Sequence, residues 1–204
     1  MTIKRILGDY LDANVYILEK DNEILIVDCG AKKEQLLNII ADKKVVGILL
    51  THGHYDHSRY CNDYANYFKC KIYANKNIKK TLSDSVANYS DDGSVIKEYS
   101  NFVFLDKDEN IKIGAFSIDC YYCPGHSICS ECFSIDEILF AGDVLFNGGI
   151  GRTDLKFSDR KMMYESLCKL EKLNFKEVKS GHGEDSTYLH QMKNIAIYKR
   201  FLSR

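Results

Sequence analysis

Val45-Val46-Gly47-Ile48-Leu49-Leu50-Thr51-His52-Gly53-His54-Tyr55-Asp56-His57 is the stretch that decides how this chain is read. An apolar, β-branched run ends in three imidazoles and one carboxylate within six residues. The first half has the character of a buried strand, and the second is a cluster of transition-metal ligands. In an extended backbone, side chains two apart share a face, so His52 and His54 can close on one ion. Asp56 and His57 follow at the loop-to-helix turn, where the chain changes direction and can aim them at a second ion. Three of the chain's six histidines are here, so the run reads as a metal site, and as one for two ions.

Working outward, the 204 residues suit one domain, expected over 1–204, with enough length to bury a full core. Lys+Arg is 28 against Asp+Glu 29, which leaves no electrostatic footprint for nucleic acid or an anionic membrane. No apolar stretch is long enough to span a bilayer. The start, Met1-Thr2-Ile3-Lys4-Arg5-Ile6, lacks a secretory h-region and passes into a strand-like pattern, so a cytoplasmic location is expected. The eight cysteines are then expected as reduced thiols. Cys120-x-x-Cys123 and Cys129-x-x-Cys132 imitate a zinc knuckle, but the gap between the pairs is too short for a zinc ribbon. On a strand, their three-residue spacing also throws Cys120 and Cys123 to opposite faces. Small buried side chains are the better reading.

The hydrophobic pattern predicts a hairpin of strands over Asn14–Leu18 and Glu23–Val27, a helix over Lys33–Ala41, and a strand over Val45–Leu50. A helix over Ser58–Phe68 and a short strand over Lys71–Ala74 follow. Asn75–Ser100 is polar and ambiguous, the place for a lid or a substrate-facing insertion. Strands resume over Phe102–Leu105, Ile111–Ile113, Phe116–Cys123, Glu131–Ile135 and Ile138–Ala141. Ser158–Leu173 is an amphipathic helix with Asp159 near its start; Lys176–Lys179 is a last strand and Thr187–Phe201 a terminal helix. Two β-rich halves, each with helices, point to an α/β molecule of two packed sheets with helices outside.

Further potential ligands sit directly after strands: His126 in Cys123-Pro124-Gly125-His126-Ser127, Asp143 in Ala141-Gly142-Asp143-Val144, and His182 in Ser180-Gly181-His182-Gly183. Strand ends aim such residues rigidly, and flanking glycines let the backbone approach an ion. Any one of them alone reads as an ordinary turn residue. Together, five of six histidines lie at strand-terminal turns beside glycine or acid; His190, in the terminal helix, is read as a surface residue. Coordination arithmetic assigns His52, His54 and His126 to a first ion and Asp56, His57 and His182 to a second, with Asp143 as the bridge. Two divalent ions, zinc first and iron or manganese as alternatives, would carry enough residual positive charge to stabilise an oxyanion.

With these residues in place the chain resembles the metallo-β-lactamase-fold hydrolases over nearly its whole length. Thr-His-x-His-x-Asp-His, the later Gly-His, the Gly-Asp and the final Gly-His-Gly occur in family order with all seven ligand positions filled. The resemblance implies a four-layered αββα sandwich. It also implies that Asp28, in Val27-Asp28-Cys29-Gly30, braces the metal loop. Gly142 to Asp154 is similar to the small glyoxalase II-like (hydroxyacylglutathione hydrolase-like) hydrolases, which implies thioesterase activity on a small acyl thioester. There a metal-bridging hydroxide attacks the carbonyl, with Asp56 and Asp143 as the catalytic carboxylates. Two departures narrow the carry-over. Full-size glyoxalase II continues into a larger helical domain, whereas about 20 residues follow Gly183 here. The region of its glutathione-binding Lys and Tyr reads Arg152-Thr153-Asp154, so the thiol carrier is left open. Arg152 is a candidate substrate-binding residue, balanced against an internal ion pair with Asp154 or Asp159.

The nearest rival is a persulfide dioxygenase, whose members share Gly-Arg-Thr-Asp and bind one iron through the equivalents of His52, His126 and Asp143. A secreted β-lactamase is disfavoured by the missing export signal. A non-catalytic metal or redox module using the thiols is a third reading. No nucleic-acid or membrane partner is expected, and the oligomeric state is not specified by the sequence.

Overall fold

The second and third strands are buried on both faces, which places them in the middle of a layered molecule rather than on its surface. The structure, a computed structural model, describes residues 1–203. Along β2 (Asn14–Lys20), Val15 and Ile17 join one core and Tyr16 and Leu18 another; along β3 (Glu23–Val27), Ile24 and Ile26 separate from Leu25 and Val27 in the same way. This is the period-two geometry of a strand buried on both faces.

The first sheet has the order β1 (Thr2–Leu7), β2, β3, β4 (Lys44–Leu49), β5 (Lys71–Asn75), β6 (Phe102–Leu105). Pairing is antiparallel up to β3 and parallel beyond it, through the connecting helices α1 (Lys33–Ile40) and α3 (Cys61–Phe68). The second sheet has the order β14 (Ser186–Thr187), β13 (Glu177–Ser180), β10 (Ile138–Gly142), β9 (Glu131–Ile135), β8 (Phe116–Tyr122), β7 (Glu109–Ile113). A small ribbon, β11 (Leu145–Phe146) and β12 (Gly149–Ile150), precedes α5 (Arg160–Leu170), and α6 (Tyr188–Leu202) closes the chain.

Three apolar cores define four layers. Leu36, Ile40, Tyr64 and Ala65 of α1 and α3 pack on the outer face of the first sheet. Leu25, Leu49, Phe116, Phe133 and Phe140 fill the space between the sheets. Met163, Leu167, Leu170 and Ile195 of α5 and α6 cover the second sheet. Phe116, Phe133 and Phe140 are fully buried, and truncating any of them to alanine costs about 3–5 kcal/mol. The αββα sandwich expected from the sequence is the architecture observed.

Element boundaries follow the expectations closely, with instructive differences. The helix expected over Ser58–Phe68 is two pieces: α2 (Tyr55–Ser58), and α3 after Tyr60, whose ψ of 12° breaks the first axis. One piece must aim Asp56 and His57, and the other must lay Cys61, Tyr64 and Ala65 on the sheet; a single axis cannot do both. The helix expected from Ser158 starts at Arg160, where the Asp159 side chain caps it by accepting from Met162 N at 2.8 Å. Asn75–Ser100 carries one short helix, α4 (Ile78–Leu82), then a loop that accepts from Tyr55 N through Asn88 O at 2.7 Å. The eight cysteines are free thiols; Cys120 belongs to the inter-sheet core and Cys123 to the core beneath α5, on opposite faces as their spacing requires. Burial pushes the Cys61 and Cys70 thiols up to about 12 and about 11, so both are protonated and poor nucleophiles.

Glu131 N donates to Thr51 O at 2.8 Å, joining the second sheet to the loop after β4. The Glu131 carboxyl is buried; Oε2 accepts from Asn75 Nδ2 at 3.0 Å and Oε1 has no partner. Burial pushes this acid up to about 8, against the opposing bond from Asn75. The folded state therefore holds a proton that the unfolded chain releases near pH 4.3, and stability falls by about 1.4 kcal/mol per pH unit between those values. Glu131→Gln mimics the neutral acid. Its melting temperature should pull ahead of the parent's from pH 5 to pH 8 and then stay level, measured on metal-free protein by thermal unfolding. A gap independent of pH would mean that the carboxyl is ionised throughout.

Candidate metal centre

Asp28 organises the cleft. It follows β3 with a left-handed backbone (φ 63°), which turns its carboxylate back across the end of β4. Oδ1 accepts from Thr51 N and Oδ2 from Thr51 Oγ1, both at 2.8 Å. A carboxylate only accepts, so the 2.8 Å contact between His57 Nδ1 and Asp28 Oδ2 puts a ring proton on Nδ1 and turns Nε2 inward. Sequence reasoning named Asp28 but gave Thr51 no role; Thr51 is the other half of the brace.

The same proton accounting applies to three more rings. His126 Nδ1 donates to Arg152 O and His182 Nδ1 to Leu11 O, each at 3.1 Å. Thr51 Oγ1 spends its proton on Asp28, so it accepts from His52 Nδ1 at 3.1 Å. Each of these rings presents Nε2 inward. His54 is turned the other way: its Nδ1 lies 3.1 Å from His52 Nε2 and 2.9 Å from His126 Nε2. His57 Nε2 and His182 Nε2 are 3.1 Å apart. Nitrogens at such a distance need a proton or a metal ion between them. Four ligands set tetrahedrally about a divalent ion would be about 3.3 Å from one another.

The acids complete both sets. Asp56 Oδ2 is 3.1 Å from His182 Nε2 and 3.5 Å from His57 Nε2. Asp143 lies between the sets: Oδ1 is 3.4 Å from His57 Nε2, and Oδ2 is 3.4 Å from His126 Nε2 and 3.6 Å from His182 Nε2. A register shift in the β10–β13 pairing at Phe140/Gly142 re-aims the chain just before Asp143. Gly181 must lack a side chain, because a Cβ there would overlap Asp143 Oδ1. Asp143 Oδ1 and His54 Nε2 are buried without a hydrogen bond. Three groups have ligand atoms within 4.8 Å of one another: His52, His54, His126; His52, His57, Asp143; and Asp56, His57, His182. The orphaned carboxylate oxygen, the facing ring nitrogens and the nitrogen–oxygen donor set all fit divalent ions. Among the described residues, no cysteine joins these groups, and neither does His190.

Burial sets the electrostatics. It pushes His54 down to about 3 and His52 well below the usual imidazole range, so these rings stay neutral and able to ligate. Burial lowers His126 as well. For His57, burial works against charge, but Asp56, Asp143 and Asp28 together carry it well above its ordinary value, so without an ion Nε2 also holds a proton, which a bound cation would displace. Asp143 is likewise held well below the carboxylate range by the facing imidazoles, chiefly His57, despite its burial.

Arg152 sits on the rim. Its carbonyl holds His126, while its guanidinium turns to Asp154 in a bidentate pair (2.9 Å for both bonds), each side chain 69% exposed. Two contributors lie outside anything side-chain chemistry signals. Leu11 orients His182 through a backbone carbonyl from a left-handed residue (φ 54°), and Tyr89 stacks edge-to-face on His54 with ring centroids 5.3 Å apart. No residue type announces a useful carbonyl, and Tyr89 lies in the polar stretch whose pattern is ambiguous.

A family profile described as "Metallo-beta-lactamase superfamily" matches residues 8–182. "Probable metallo-hydrolase YqgX" of Bacillus subtilis is 31% identical over 88% of this chain and 89% of its own length. "Hydroxyacylglutathione hydrolase GloC" of Haemophilus influenzae is 30% identical over 84% of this chain and 85% of its own. Among solved structures, the BLEG-1 B3 metallo-beta-lactamase superposes with a TM-score of 0.85 at 28% identity, covering 100% of both chains.

The Asp28 brace has a measurable consequence. Asp28→Asn keeps the shape but can turn an amide N–H toward His57 Nδ1, and loss of such an orienting partner typically weakens metal binding 10–100-fold. Zinc competition against a chromophoric chelator should show that loss with the circular dichroism spectrum unchanged. An affinity equal to the parent's would show that His57 is oriented by something else.

Proposed function

The chain belongs to the metallo-β-lactamase superfamily, and on that premise we propose that it is a two-metal hydrolase of small acyl thioesters. Asp143 supports the two-ion reading, since its carboxylate lies between the two ligand sets, within 3.6 Å of His57, His126 and His182. His52, His54 and His126 would hold one ion, Asp56, His57 and His182 the other, and Asp143 would touch both. The donor set suits zinc first, with iron and manganese as alternatives.

When bound, a divalent pair lowers the pKa of water and stabilises negative charge developing on a carbonyl oxygen. The rest is supplied by the chain. The neutral rings of His52, His54 and His126 offer lone pairs without competing for protons. Asp56 and Asp143 stay ionised, so they orient an attacking water and accept from it rather than protonate a leaving group. A thiolate is a good leaving group and departs without a dedicated general acid, which matches a cleft furnished with no protonated carboxyl. The thioester reading draws its support from the likeness to the hydroxyacylglutathione hydrolase of H. influenzae. The carrier need not be glutathione, because Arg152 is already engaged by Asp154.

Metal analysis of purified protein is expected to give two ions per chain. Asp143→Ala and His54→Ala should lose bound metal together with at least 100-fold of thioesterase activity, on the order expected for removing a metal's charge stabilisation. Thioesterase activity that survives complete metal removal would sink the mechanism. The panel pairs hydroxyacyl thioesters of several thiols with a chromogenic β-lactam and a persulfide under oxygen. Turnover of the β-lactam alone would transfer the reading to the activity named for BLEG-1, and one iron per chain with oxygen uptake would transfer it to persulfide oxidation.

A further inference from the structure

His54 presents a problem that its neighbours do not. The other four rings of the centre place their Nδ1 protons on protein acceptors. His54 turns Nδ1 inward, so an ion bound there would leave the ring proton on Nε2, and that atom is buried with no oxygen or nitrogen partner. His52 and His126 occupy its inward side. The Tyr89 ring also packs against the imidazole, at 79° to it with centroids 5.3 Å apart. An N–H aimed at an aromatic face is a weak but genuine hydrogen bond.

Tyr89 is also held in place at some expense of backbone strain. Its φ of 59° is unusual for a bulky side chain. The hydroxyl accepts from Lys156 N at 3.0 Å, and Lys156 Nζ reaches back to Asp84 Oδ2 at 2.5 Å. The preceding residue, Asn88, is fixed on the other side by Tyr55 N, within the metal loop. The strap is therefore tied both to the loop bearing His54 and to the loop whose Arg152 carbonyl orients His126.

We propose that Tyr89 is a positioning residue of the metal centre: its ring face receives the Nε2–H of His54, fixing the tautomer that leaves Nδ1 free to ligate. The proposal rests on the two-ion reading above. The hydroxyl is the latch and the ring is the acceptor, so the two parts separate by substitution. Tyr89→Phe keeps the ring; Tyr89→Leu removes it while keeping bulk and apolarity.

Zinc titration against a chromophoric chelator should leave Tyr89→Phe within about twofold of the parent and weaken one of the two sites of Tyr89→Leu by about tenfold or more, as for other orienting partners of metal-bound histidine. In the zinc-loaded protein, the His54 Nε2 proton should resonate upfield through the ring current in the parent and in Tyr89→Phe, and lose that shift in Tyr89→Leu. Parent-like affinity in a folded Tyr89→Leu, or an equal fall in Tyr89→Phe, overturns the proposal while leaving the two-ion reading intact. The parent's His54 resonance decides the matter if Tyr89→Leu does not fold: no upfield shift, no acceptor. A parent that binds no zinc through its histidines overturns both.

Discussion

Imidazole nitrogens held face to face at about 3 Å are the constraint around which this molecule is arranged. Four of the five rings are locked from behind. Asp28, Thr51, the Arg152 carbonyl and the Leu11 carbonyl accept the Nδ1 protons, which turns four Nε2 atoms into the cleft. Strain gathers at the same places. Leu11, in the β1–β2 turn, Asp28 and Tyr89 all have positive φ, and each touches a different histidine. The fold holds these residues in costly conformations in order to present a cationic site with aimed donors.

The sandwich supplies the rigidity that this demands. Three cores clamp the two sheets, so strand ends move little, and the ligands are carried on the turns directly after β4, β8, β10 and β13. Glycines are spent where two turns meet, as at Gly181 against Asp143. Exposed ion pairs such as Arg152–Asp154 contribute about 0–1 kcal/mol and do not explain the architecture.

Much of this is legible in the chain alone. The apolar runs of β2 and β3 announce the strands of a hairpin, and the histidine run after β4 announces ligands because few other roles gather three imidazoles and an acid. The grouping of His52 with His54 and His126, and of Asp56 with His57 and His182, is the grouping of atoms found in space. What escapes is whatever depends on backbone rather than residue type. The break at Tyr60, the short β11–β12 ribbon, the carbonyl of Leu11 and the ring of Tyr89 are set by tertiary packing, which leaves no periodic trace. The polar stretch after β5 is ambiguous in sequence for the same reason: its loop is held by Tyr55 and Lys156, residues far from it in sequence.

The candidate ligands do not belong to one layer. His52, His54, Asp56 and His57 hang from the first sheet, while His126, Asp143 and His182 hang from the second, and each ligand set contains members of both. An ion seated in either set is therefore a rivet through the sandwich, resisting the sliding of one sheet over the other. Because the unfolded chain offers no such cradle, every tenfold rise in free ion above its dissociation constant would add about 1.4 kcal/mol to the folded state. Metal supply would then govern how long the protein survives in the cell as well as how fast it turns over substrate.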